Sequence, residues 1–143
     1  MRPSDLRVLV VDNHTDYVTA MIKLLRAGFD CEAQGCTDPT RAVDTVKAFQ
    51  PHLLLLDIAM PKADGFAVLE QLKHWGLIPP LVVAVSGYVG EAITARCLRA
   101  GFHRNVAKPA DLSCLEDLLY EAQKRTETRQ PAGADVSAAV SRI

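Results

Sequence analysis

The chain has 143 residues, enough for one domain with a full hydrophobic core. Hydrophobic residues make up 49% and charged residues 23%, a globular balance rather than a disordered one. The formal net charge of -1 argues against nucleic acid or an acidic membrane as a partner.

The four cysteines, at 31, 36, 97 and 114, form no CxxC pair and no zinc spacing with histidine. They read as free thiols of a reducing cytosol. The apolar run in MRPSDLRVLVVD is too short for a signal peptide. A membrane span needs about 20 apolar residues, and no such run is present. The expectation is a soluble, cytoplasmic protein.

In chain order, short apolar runs alternate with amphipathic ones. RVLVV (7–11) is apolar on both faces and ends at Asp12. Val18, Met21, Ile22 and Leu25 then fall at helical spacing, and Gly28 closes that segment. CEAQG (31–35) reads as a weaker, outer strand. In TDP (37–39), Asp38 is a helix cap and Pro39 lies in the first turn. Ala42, Val43, Val46 and Phe49 give that helix its buried stripe.

LLLLD (53–57) follows, and four leucines running directly into Asp57 pose a physical question, because a lone buried carboxylate is costly. Asp64 and Gly65 start a helix with Phe66, Leu69 and Leu72 on one face and Trp75 packing at its end. LVVAV (81–85) is the next strand, and Glu91 to Ala100 the next helix, with Ile93, Cys97 and Leu98 on one side. HRNVA (103–107) is a fifth strand. Asp111 caps a last helix carrying Leu112, Leu115, Leu118, Leu119 and Ala122. From residue 126 the periodicity fades, so 5–125 reads as the domain and 126–143 as a flexible tail or linker.

Five strand–helix units predict a single doubly wound α/β domain, a parallel sheet with helices on both faces. Covered faces account for the unbroken leucine run. Ligands of such sheets bind at the carboxyl ends of the strands. Those ends are Asp12, Asp57, Ser86 and Lys108, so two carboxylates, a hydroxyl and an ammonium meet on one rim. Asp57 is thus mounted by the core but reaches out of its edge.

Two close carboxylates repel unless a cation joins them. A hard divalent ion with oxygen ligands, Mg²⁺, meets that need and keeps positions open for phosphate oxygens. An aspartate can attack a phosphoryl group to form an acyl phosphate. The metal and Lys108 then offset the incoming charge, and Ser86 can bond a phosphoryl oxygen.

The set VLVVD, LLLLDIAMPKADG, AVSGY and AKP, carrying Asp12, Asp57, Ser86 and Lys108–Pro109, resembles the receiver domain of two-component response regulators across residues 7 to about 123. The segment from Gly87 to Leu119 is most similar to receivers attached to hybrid sensor kinases. The resemblance implies a flavodoxin-like fold of strand order 2-1-3-4-5. It also implies phosphotransfer to Asp57 from a histidine kinase or histidine phosphotransfer protein, with Mg²⁺ held by Asp12, Asn13, Asp57 and the carbonyl of Ala59. Ser86 takes the place of the switch hydroxyl, Lys108 that of the phosphoryl charge partner, and the Lys108–Pro109 bond that of a cis peptide. A face built from the fourth helix, fifth strand and fifth helix is implied for partner binding or homodimerisation. The chain itself is then a phosphoacceptor, not an enzyme acting on a substrate.

Two positions depart from the pattern. Asn13 supplies a neutral oxygen where a second carboxylate is usual, which weakens the attraction for a hard cation. Asn105 stands where an aromatic switch residue is common. Asn13 supports a rival reading, a receiver-like interaction domain that no longer phosphorylates. Ala59, two residues after Asp57, argues against an aspartyl phosphatase, which needs a second acid–base carboxylate there. Tyr88 is placed to cover the phosphoryl site. His14 reads as a solvent-facing loop residue, and His52, His74 and His103 as surface residues.

Overall fold

The computed structural model describes residues 2–88 and 90–134, with side chains described through 129. Strands β1 (Arg7–Val11), β2 (Glu32–Cys36), β3 (Leu53–Asp57), β4 (Leu81–Ser86) and β5 (Arg104–Ala107) form one parallel sheet in the order β2-β1-β3-β4-β5. Helices α1 (Thr15–Lys23), α2 (Ala42–Phe49), α3 (Gly65–His74), α4 (Glu91–Ala100) and α5 (Leu112–Ala134) connect and flank the strands. This is the flavodoxin-like α/β architecture expected.

The leucine run shows why both sheet faces must be covered. Leu53 and Leu55 pack with Val18, Met21, Leu115 and Leu118, under α1 and α5. Leu54 and Leu56 point the other way and pack with Val46, Val68 and Leu72, under α2 and α3. The period-2 alternation of a strand thus divides one apolar run between two cores. Each fully buried leucine contributes about 1.5–3 kcal/mol of transfer free energy. Asp57 comes next in the alternation, at the carboxyl end of β3 where the helices leave the sheet edge open.

Caps fall where the sequence puts them. The Asp38 carboxylate accepts from Thr40 N, the Asp64 carboxylate from Ala67 N, and the Asp111 carboxylate from Cys114 N. α1 does not stop at Lys23; it runs on as a π-helical turn over Leu24–Gly28.

Several expectations need correction. The fading periodicity at residue 126 does not end α5, which continues to Ala134. Thr126 is buried, its hydroxyl donating to Ala122 O at 2.7 Å, and Arg125 pairs with Glu121 one turn earlier at 2.8 Å. A polar segment can extend a helix once its first turns are docked. Residues 135–143 of the expected tail lie outside the described residues. Trp75 does not pack at the end of α3 but is 66% exposed, and Leu98 and Leu112 also face solvent.

His52 is buried and His103 half-buried, so neither is the solvent-facing residue expected. Each precedes a strand, and each ring replaces a missing carbonyl at the amino end of the sheet. His52 Nδ1 accepts from Arg7 N, and His103 Nδ1 accepts from Val82 N, both at 2.9 Å. The histidine backbone N–H groups donate back, to Arg7 O and Val82 O.

Candidate functional site

The carboxyl edge of the sheet brings together residues 45 and 51 positions apart in sequence. Asp12 directly follows β1, and Asp57 ends β3, its neighbour. Both carboxylates are nearly sealed from solvent, at 1% and 3% exposure, so each needs a compensating partner. Lys108 follows β5 and supplies it. Its Nζ lies 2.7 Å from Asp12 Oδ2 and 3.6 Å from Asp57 Oδ2. The Lys108 backbone N–H donates to Ser86 O at 2.8 Å, which ties β5 to the end of β4, and the Lys108–Pro109 peptide is cis.

Local turns hold the two carboxylates. Asp12 Oδ1 accepts from His14 N at 2.9 Å, and Asp57 Oδ1 accepts from Ala59 N at 3.0 Å. Each is an aspartate bonding the backbone two residues on, the turn its short side chain favours. Gly65 lets the start of α3 close against this edge. A Cβ there would lie 2.6 Å from Asp57 O and 2.8 Å from Ile58 Cα.

The two acids titrate apart. Burial acts to raise the pKa of Asp12, but Lys108 and the His14 backbone and ring nitrogens outweigh it and hold the carboxyl below its ordinary value. Burial and the nearby charge of Asp12 raise that of Asp57, against the Ala59 N–H and the more distant Lys108. Two like charges sharing a site behave this way when a cation sits nearer one of them.

The oxygens fit a cation. Asp57 Oδ2 and Asn13 Oδ1 are buried and lack a hydrogen-bond donor, the former meeting the Lys108 ammonium at 3.6 Å, whereas Asp12 Oδ2 takes that ammonium at 2.7 Å. Buried acceptors without donors are uncommon, and a bound ion is one recognised cause. Ala59 is exposed beside Asp57, and its N–H, not its carbonyl, makes the contact seen here.

Ser86 ends β4 and is buried; its Oγ accepts from Tyr88 N at 3.1 Å. Tyr88 does not cover the acids. Its side chain faces solvent, with the ring against Gly90. Asn105 is half-buried and donates to Thr94 Oγ1 at 3.0 Å, so it links β5 to α4 and does not act as a mobile ring.

Two site neighbours escape a reading of strand ends. Tyr17, on the inner side of α1, lies under the ammonium of Lys108, 4.6 Å from Nζ to ring centroid. Burial first, then the charges of Asp12 and Asp57, push its phenol up to about 12. Its position five residues after Asp12, one turn before Met21, was the available signal. His14 is exposed, as expected, yet its Nδ1 lies 2.9 Å from Asp12 Oδ1 and 3.0 Å from Lys108 Nζ.

A parallel 2-1-3-4-5 sheet with two buried acids and a lysine on its carboxyl edge is a flavodoxin-like α/β domain built around an anionic rim. The response regulator receiver domain model matches residues 8–120, and the chain belongs to that family. It is a receiver domain, a phosphoacceptor signalling module of two-component systems.

Among curated relatives, protein-glutamate methylesterase/protein-glutamine glutaminase 1 of Caulobacter vibrioides is 31% identical over 96% of this chain and 42% of its own length. Its namesake from Escherichia coli K12 is 32% identical over 94% of this chain and 39% of its own. The chain therefore spans about two fifths of these relatives, whose names give methylesterase and glutaminase activities and not a hybrid kinase. The receiver domain of the response regulator NarL from Mycobacterium tuberculosis superposes with a TM-score of 0.73 at 26% identity, covering 85% of this chain and 98% of that one. A receiver domain from Vibrio parahaemolyticus, 16% identical, shares the fold with a TM-score of 0.76 over 90% of this chain and 95% of that one.

Proposed function

We propose that Asp57 is the phosphoacceptor of this domain. In that step a carboxylate oxygen of Asp57 attacks the phosphorus of a phosphohistidine on a histidine kinase or histidine phosphotransfer protein. The P–N bond breaks, its electron pair stays on the donor imidazole, which takes up a proton, and an aspartyl phosphate forms. Lys108 reaches Asp12 and Asp57 from one point, so it stands ready to pair with phosphoryl oxygens when they arrive. Ser86, on the adjacent strand end, is the hydroxyl suited to bond them.

Asp12, Asp57, the amide oxygen of Asn13 and the carbonyl of Ala59 are the groups to hold Mg²⁺. The donor-free oxygens of Asp57 and Asn13 support that assignment. The ion would neutralise charge between the acids and the phosphoryl group.

The signal leaves through the face formed by Ala92–Ala100, His103–Ala107 and Asp111–Arg125. Phosphate at Asp57 draws Ser86 inward, and the Lys108–Ser86 backbone bond passes the shift to β5. Partner docking or homodimerisation on that face is the output. The unit that does this begins at residue 5 and runs through α5 past residue 125, in the cytoplasm. Among the described residues no helix is long and apolar enough to cross a membrane.

The observation that carries the proposal is the single rim holding Asp12, Asp57 and the Lys108 ammonium. The test is incubation with acetyl phosphate and Mg²⁺, comparing wild type, Asp57→Asn and Asn13→Asp. Acid-stable, base-labile phosphate on wild type and none on Asp57→Asn is the expected result. No label on wild type, with no Mg²⁺ binding at millimolar levels, would leave an interaction domain that does not phosphorylate.

A further inference from the structure

The rim carries one metal-capable side chain beyond the paired acids. A ring nitrogen of His14 and one oxygen each of Asp12 and Asp57 lie within 4.8 Å of one another. One cation with bonds of about 2.0–2.5 Å can bridge that spread.

Lys108 already stands inside this set as a cation does. Its ammonium is 2.7 Å from Asp12 Oδ2, 3.0 Å from His14 Nδ1 and 3.6 Å from Asp57 Oδ2. Nδ1 can donate to Asp12 Oδ1 or offer its lone pair toward the ammonium, and the second arrangement is the ligating one. Asp57 Oδ2 and Asn13 Oδ1 are buried nearby with no donor, an independent sign that the pocket is built for an ion.

Asn13 changes the demand on such an ion. It contributes a neutral oxygen where a carboxylate would add charge, so a hard cation loses part of its attraction. An imidazole restores binding strength for a softer cation, because nitrogen ligands favour first-row transition metals over Mg²⁺. His14 is exposed and unencumbered by packing, so an entering ion meets it without unfolding anything.

We infer that His14 is a ligand of the divalent cation in this pocket, making a mixed oxygen–nitrogen site that favours Mn²⁺ and later first-row ions relative to Mg²⁺. The inference rests on the reading that Asp12 and Asp57 hold a divalent cation.

The probe is Mn²⁺ itself, added to the full chain labelled with ¹⁵N-histidine or left at natural abundance. Pulsed electron paramagnetic resonance on the bound ion should show a histidine nitrogen coupling that changes with the isotope and vanishes in His14→Ala. The Mn²⁺ dissociation constant should rise several-fold in His14→Ala, since Mn²⁺ stands lowest among the first-row ions in its gain from an imidazole. That for Mg²⁺, read by competition, should stay within about twofold, since a hard cation gains little from an imidazole. Mn²⁺ bound equally by both proteins with no nitrogen coupling overturns the role of His14 and leaves the acidic pocket standing. No bound Mn²⁺ or Mg²⁺ in wild type removes the cation pocket, and this inference with it.

Discussion

Lys108 is not shared equally between its two acids: its ammonium is 2.7 Å from Asp12 and 3.6 Å from Asp57. Asp12 therefore carries the ion pair, and Asp57 is left with a raised pKa and an oxygen that no donor reaches. Lys108 is only 17% exposed at the side chain, so its charge is poorly screened. Lys108→Met keeps the stem on Tyr17 but removes the charge. It should destabilise the metal-free protein by about 1–3 kcal/mol, somewhat below the cost of breaking a fully buried pair. Urea unfolding at neutral pH in a chelator measures it, and unchanged stability would show that the ammonium is a spectator.

Asp57→Asn should act in the opposite direction. Burial and the charge of Asp12 raise the Asp57 pKa above that of the unfolded chain. The folded state then binds more protons, so the acid favours folding below the unfolded value and that contribution is lost as pH rises through the folded value. Above both values the ionised group is a net cost. Replacing it with an amide should raise the stability of the metal-free domain, read as a higher melting temperature. With saturating Mg²⁺ the gain should shrink, because the ion stabilises only the protein that binds it. A lower melting temperature in the chelated variant would contradict this account of the acid pair.

Much of this site is visible in sequence because its members end strands. A strand buried on both faces must be apolar throughout, so the first polar residue after VLVV or LLLL marks the sheet edge. Asp12 and Asp57 are legible for that reason, and Lys108 after the fifth strand for a weaker version of it. Tyr17 is not, because an aromatic on the inner face of a helix looks the same whether it packs on leucine or under an ammonium. His52 and His103 hide for another reason. Their rings complete backbone bonds of neighbouring strands, and strand adjacency is set by sheet order, not by local pattern. The run of α5 past residue 126 was obscured because TETRQ, residues 126–130, carries no apolar stripe to mark a buried face.

Gly65 tests how tightly the helix start is pressed on the acid edge. The atoms a Cβ would meet, Asp57 O and Ile58 Cα, are backbone and cannot rotate away. Gly65→Ala should cost about 1–3 kcal/mol by forcing α3 off β3. The same shift should move Asp57, so amide chemical shifts of Ile58 and Ala59 should change beyond those of distant β2. Stability matching wild type would mean that the helix start can yield at no cost.

The histidines at the opposite end of the sheet give a prediction with a defined sign. His52 Nδ1 must keep a lone pair to accept from Arg7 N. Burial, then the charge of Arg7, lower its pKa to about 4, with Asp5 opposing weakly. His103 is lowered in the same direction, by burial and then by Arg125, with Glu121 opposing. Between the unfolded value of about 6.5 and the folded one, the unfolded chain binds the extra proton. Stability from this group is therefore complete above about pH 6.5 and falls as pH drops toward 4, by up to about 3 kcal/mol for His52. His52→Asn tests it, since an asparagine Oδ1 can take the place of Nδ1 and does not titrate. The variant should stay within about 1 kcal/mol of wild type at pH 7.5 and lose less stability at pH 5 in parallel urea titrations. Equal losses in the two proteins would mean that protonation of His52 is not what weakens the fold in this range.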